Sequence, residues 1–142
     1  TLWAPEYARE YWTGHRGRQG SIDFLKIART QILREEELAG RANRILFCDT
    51  SPLSSLLYSR KYSPSVDPEL EHLAGRPYDL TVLCAPDFPI LQDGTRAALG
   101  AQFEQHQWHI VELEKRGVAY HLAEGTVEQK INGIQEILAM KG

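Results

Sequence analysis

The chain lacks the features that would place it in a membrane or along a nucleic acid. No apolar run in its 142 residues nears the roughly 18 needed to span a bilayer, and no signal-peptide pattern opens it. Lys and Arg number 16 against 19 Asp and Glu, a formal net charge of -3. Sequence-independent nucleic-acid binding needs a field of basic side chains over one face, so neither a nucleic-acid nor a membrane partner is expected. Cysteine is scarce. Cys48 and Cys84 are too few for a disulfide framework and lack zinc-ligand spacing. Each ends a short apolar run, so both are expected as reduced core thiols in a reducing, cytoplasmic compartment. Gly-x-Ser-x-Gly elbows and Gly-x-Gly-x-x-Gly turns are also absent.

What is present is the balance of an ordinary globular protein, 42% hydrophobic and 25% charged, at a length that suits one domain over 1–142. Thr1 to Ala4 reads as the end of a strand. Tyr7, Ala8, Tyr11 and Trp12 then share one helical face. Gly14 to Gly20 is a basic, glycine-rich loop. Ser21 and Asp23 open a long helix, with Ile22, Leu25, Ala28 and Ile32 as its apolar stripe and Glu35, Glu36 and Glu37 as its solvated side. Arg44 to Cys48 is a strand, ended by Asp49-Thr50. Pro52 starts a helix with Leu53, Leu56 and Leu57 inward. Asp67-Pro68 starts another, cap before proline.

Leu80 to Cys84 is a further apolar strand, followed by a Pro- and Asp-rich loop. Ala101 to Arg116 is helical, with Phe103, Ile110, Val111 and Leu113 available for a core. Val118 to Leu122 is the next strand. Val127, Ile131, Ile134 and Leu138 mark the stripe of a last helix. Strands alternate with helices, and the strand runs are apolar without alternation. That pattern predicts an α/β fold on a parallel sheet covered on both faces.

In such sheets ligands sit beyond the carboxyl ends of the strands, and three polar groups fall there. Asp49 can hold Mg²⁺ through water, or it can cap the helix at Pro52. Asp93-Gly94-Thr95-Arg96 suits a lid whose guanidinium neutralises phosphate charge, or a plain Asp-Gly turn. Glu6 and Arg9, three apart, can converge on one ligand, or form a surface ion pair. The five histidines are scattered and frame no metal site.

Taken together, these segments resemble the NadR-like P-loop domains, which include bacterial ribosylnicotinamide kinase domains. Pro5-Glu6-Tyr7-Ala8-Arg9-Glu10-Tyr11 is similar to their Glu-Tyr-x-Arg-Glu signature. Phe47-Cys48-Asp49-Thr50 resembles their second acidic motif, and Gln92-Asp93-Gly94-Thr95-Arg96 their lid. The resemblance implies a three-layer, nucleoside-kinase-like P-loop NTPase that uses ATP and Mg²⁺. It implies Asp49 and Arg96 as catalytic groups, with Asp49 serving the metal. Glu6, Arg9, Gln31 and Thr50 would serve the substrate, and Asp93, Gly94 and Arg96 a flexible lid near 85–100.

The implied reaction is phosphoryl transfer to a small nucleoside-like acceptor, with nicotinamide riboside the leading candidate. The alternatives are an ATP- or GTP-binding regulatory module without kinase activity, and a degenerate pseudo-enzyme. The family's Gly-x-x-x-x-Gly-Lys-Ser/Thr loop has no match in the chain. The expectation is that the loop and the first strand lie upstream, that the 142 residues alone are inactive, and that a fused domain is possible.

Overall fold

The computed structural model describes residues 1–14, 22–86 and 99–141. The chain divides into two compact units, Thr1–Pro77 and Tyr78–Gly142.

The first unit runs β1 (Leu2–Ala4), α1 (Tyr7–Gly14), α2 (Phe24–Ala39), β2 (Leu46–Cys48), α3 (Pro52–Tyr62) and α4 (Pro68–Leu73). The strands pair in parallel, Leu2 with Leu46, Trp3 with Phe47 and Ala4 with Cys48. The pairing extends past both ends, through Leu2 N to Ile45 O at 3.0 Å and Asp49 N to Ala4 O at 3.0 Å. Local chemistry explains the helix starts. The Asp23 carboxylate accepts from Lys26 N at 2.9 Å, and Asp67 accepts from Glu69 N at 2.8 Å, one position before Pro68. Between Asp23 and Gly40 no residue breaks the helix.

The face that α2 buries differs from the expected stripe. Its buried residues are Phe24, Ile27, Ala28, Gln31 and Glu35, spaced i, i+3, i+4, i+7, i+11. The sequence reading put Glu35 in solvent; it is 2% exposed. Hydropathy favoured a neighbouring stripe because two positions of the true one are polar. Against α2 lie Leu53, Leu56 and Leu57 of α3, and Leu70 of α4 with Ala74 beyond it. Trp3 and Phe47, register partners on the other face of the strands, are 62% and 43% exposed.

The second unit runs β3 (Val82–Cys84), α5 (Leu99–Lys115), β4 (His121–Ala123) and α6 (Val127–Lys141). Its strands are also parallel, Val82 with His121 through Cys84 with Ala123. β4 starts three residues later than expected because Val118 is used to end α5. Val118 N bonds Leu113 O at 2.9 Å and Gly117 N bonds Glu114 O at 3.1 Å, with Gly117 at φ +68. This paired closure needs a left-handed residue, which glycine supplies without steric cost.

At the other end of β4, Thr126 and Gln129 cap α6 reciprocally. Thr126 N donates to Gln129 Oε1 at 2.8 Å and Gln129 N donates to Thr126 Oγ1 at 3.1 Å. The expected stripe of α6 is also displaced. Val127 and Ile131 are exposed. The contacting line is Lys130, Gly133, Ile137 and Lys141. Lys130 Nζ donates to Ala85 O at 3.0 Å, and Lys141 Nζ to Asp79 O at 3.2 Å. Gly133 lies against His121.

Two other core expectations fail in this unit. Phe103 and Val111 are exposed while Leu113 is buried, and the Cys84 thiol is exposed, although both cysteines are free as expected. His109 Nδ1 donates to Gln105 O at 2.8 Å, one turn back on α5, and burial holds its imidazole below the usual range.

Candidate nucleotide and substrate site

The parallel register brings two sequence-predicted groups to one edge. Ala4 pairs with Cys48, so Pro5-Glu6 and Asp49-Thr50 leave the carboxyl ends of adjacent strands together, where open parallel sheets hold their ligands. Asp49 and Thr50 are exposed. The helix that follows is capped in backbone terms by Ser51, whose side chain makes no cap bond. The Asp49 carboxylate is therefore two residues removed from the cap position, and the capping alternative loses its geometric basis.

Thr50 has φ +68, and among the described residues no other non-glycine has a positive φ. A β-branched side chain in this region is costly, and such strain persists where the surroundings over-determine it, often at a site.

Glu6 precedes α1 and is half-buried. Its charge is felt at Tyr58 of α3, whose phenol is pushed up first by burial and then by Glu6. Arg9 is exposed on α1.

Gln31 is 3% exposed and is committed to the backbone. It accepts from Tyr7 N, the first amide of α1, at 2.9 Å. Its Nε2 lies 3.5 Å from Glu35 Oε2. The other Glu35 oxygen accepts from Arg76 Nε at 3.2 Å. Asp93, Gly94 and Arg96 fall outside the described residues, as does most of the expected lid.

Sequence reasoning missed Arg34. It donates to Pro5 O at 3.2 Å and takes Glu10 in a two-point fork at 3.0 and 2.9 Å. Its guanidinium stands 5.5 Å from the centre of the Tyr7 ring, and it holds the Glu10 carboxyl below the usual range. One arginine of α2 thus clamps the turn that carries Glu6. Its i+3 position from Gln31 was the available signal. Glu35 was missed because hydropathy places a carboxylate in solvent.

Among the described residues no group of three or more His, Cys, Asp or Glu side chains gathers as a metal cage. The donor chemistry at Asp49 nevertheless fits Mg²⁺, which keeps several waters and is held by one or two carboxylates together with phosphate oxygens. An open pocket of about 340 Å³ in the second unit, lined by Asp79, Tyr120, His121 and Lys141 among others, lies at the amino ends of β3 and β4, the wrong end for this chemistry.

The fold and site thus define an α/β domain with short parallel strands and acidic groups at a carboxyl edge. A family model described as AAA domain matches residues 1–130, and the chain belongs to that family. It is accordingly a P-loop NTPase domain, with nucleotide-dependent activity as its class. No curated protein matches it.

Proposed function

We propose that this domain binds ATP with Mg²⁺ and serves phosphoryl transfer to a hydroxyl of a small nucleoside-like acceptor, in a three-layer nucleoside-kinase-like fold. Nicotinamide riboside heads the candidate acceptors. The observation that supports the reading is that the segments carrying Glu6 and Asp49 leave the carboxyl ends of adjacent parallel strands, next to a strained Thr50.

Phosphoryl transfer asks the protein mainly for positioning and charge neutralisation. Asp49 would hold Mg²⁺ through water, and the ion would supply charge neutralisation on the phosphates. Glu6 would accept a hydrogen bond from the acceptor hydroxyl, orienting it. Arg9, exposed on the same turn, would meet phosphate or ribose oxygens, and Thr50 would line the acceptor side. On the motif alone, Arg96 in an Asp93-Gly94 lid would offset charge on the transferred group. Free Cys48 and Cys84 support a reducing, cytoplasmic setting.

The phosphate-binding Gly-Lys loop of such domains is not among these 142 residues, so the test uses the full natural chain. ADP release from MgATP is followed with and without a panel of nucleosides. Release that rises at least about tenfold on adding one nucleoside, and that falls on the order of 10²-fold in Asp49→Asn, is the expected result. Turnover indifferent to every nucleoside would point instead to an ATP- or GTP-binding regulatory module. MgATP binding without any phosphorylated product would refute the kinase reading.

A further inference from the structure

The buried face of α2 contains a carboxylate and an amide where apolar side chains would pack more cheaply. Taking Glu35 out of water is costly unless it is paired and fully hydrogen-bonded, and such groups are often no more stabilising than hydrophobic replacements. The position of this pair therefore calls for an explanation beyond packing.

Its connections supply one. Gln31 receives the Tyr7 amide at 2.9 Å, one residue after Glu6, and so satisfies a helix-start donor that has no partner within α1. Gln31 and Glu35 are one turn apart on α2, 3.5 Å between their polar atoms. Glu35 is held from the other side by Arg76 Nε at 3.2 Å. The network thus runs from the backbone beside Glu6, through Gln31 and Glu35, to Arg76.

We propose that Gln31 and Glu35 are positioning residues that fix the backbone at the start of α1, and with it the Glu6 carboxylate, without touching the substrate themselves. The proposal rests on the phosphoryl-transfer reading for the role of Glu6. It replaces direct substrate contact by Gln31, whose amide is already engaged at both ends.

The test uses the full natural chain and the variants Gln31→Met and Gln31→Glu. Methionine keeps the volume but removes the acceptor for Tyr7 N. The introduced carboxyl of the second variant restores an acceptor, and a proton shared with Glu35 replaces the donated amide hydrogen. Exchange of the Tyr7 amide is followed by NMR, together with kcat and KM for the acceptor and the Kd of MgATP.

In Gln31→Met, Tyr7 exchange should quicken about tenfold or more, and kcat/KM for the acceptor should fall on the order of 10- to 100-fold. The MgATP Kd should move less than about twofold, since the network reaches the acceptor side, and Gln31→Glu should recover both losses. A merely structural role would lower the melting temperature without this split. If Gln31→Met does not fold, Glu35→Gln, which preserves shape but weakens the hold of Arg76, is expected to show the same split. An active wild type whose variants leave Tyr7 exchange or acceptor kinetics unmoved overturns the proposal alone. A wild type that binds MgATP but phosphorylates nothing overturns the functional reading, and the proposal with it.

Discussion

Replacing Thr50 by glycine should make the protein more stable and less active, and the structure gives the size of the first effect. Thr50 sits at φ +68, where an L-residue costs about 1–2 kcal/mol because its Cβ crowds the carbonyl oxygen. Glycine carries no such cost, but it loses more backbone freedom on folding, an opposing term of roughly 0.5–1 kcal/mol. The Thr50 side chain is exposed, so its removal opens no cavity. The difference leaves a gain of about 0.5–1 kcal/mol, or roughly 2–4 °C in melting temperature for a chain of this size.

Urea and thermal unfolding of wild type and Thr50→Gly measure it. Thr50→Asn is the control, because asparagine tolerates the left-handed region and retains a polar side chain. The asparagine variant should fall between the other two. Acceptor turnover in the full chain should drop in Thr50→Gly, as expected where strain is retained for a site. A glycine variant destabilised by more than about 0.5 kcal/mol would refute the reasoning, since a relaxed position gives glycine only its entropic cost.

Two further perturbations probe other parts of the chain. Gly125 has φ +92, and a Cβ there would overlap the Gln129 side chain that caps α6. Gly125→Ala should therefore lower stability by about 1–3 kcal/mol by denaturant unfolding, and adding Gln129→Ala should relieve only part of the loss, because the backbone strain remains. Burial, then the charge of Glu35, pushes the Cys48 thiol up to about 11 from 9.0. The folded state thus retains this proton longer than the unfolded chain. The stability tied to Cys48 is present below pH about 9 and is lost as pH rises from there toward about 11. Cys48→Ala should flatten that alkaline limb, and near pH 8 iodoacetamide should label exposed Cys84 well before Cys48, read by peptide mass.

Much of the architecture was legible because it is written in local chemistry. Asp23, Asp67 and Pro68 act at the helix starts where their side chains predict. The uninterrupted apolar runs became parallel strands, and Asp49 emerged at a strand end. What failed was the assignment of faces. In α2 the reading chose Ile22, Leu25, Ala28 and Ile32, of which Ala28 is buried and the others half-buried, and in α6 Val127, Ile131, Ile134 and Leu138, of which the first two are exposed and the last two half-buried. The observed faces turn to Gln31 and Glu35 in one helix, and to Lys130 and Lys141 in the other. Hydropathy scores a polar residue as solvated, yet a long lysine can lay its stem along the protein and pass its ammonium to a carbonyl flanking a strand. The start of β4 was missed for a different reason. Val118 has strand propensity, but its amide closes α5 through Gly117, and that local bond takes precedence over propensity.

The errors in α2 bear directly on the site. A helix that only had to cover β1 and β2 could do so with aliphatic residues throughout its inward stripe, and periodicity would have found it. Instead the stripe changes from Phe24, Ile27 and Ala28 to Gln31 and Glu35, the two residues whose bonds run from Tyr7 N to Arg76. Tyr7 immediately follows Glu6 of the candidate site. The departure from an apolar pattern therefore occurs where the backbone beside Glu6 has to be held, and not at a distance from it. Where local rules and the fold disagree within a buried face, the disagreement is itself a pointer to function, and Gln31 and Glu35 are where this chain carries it.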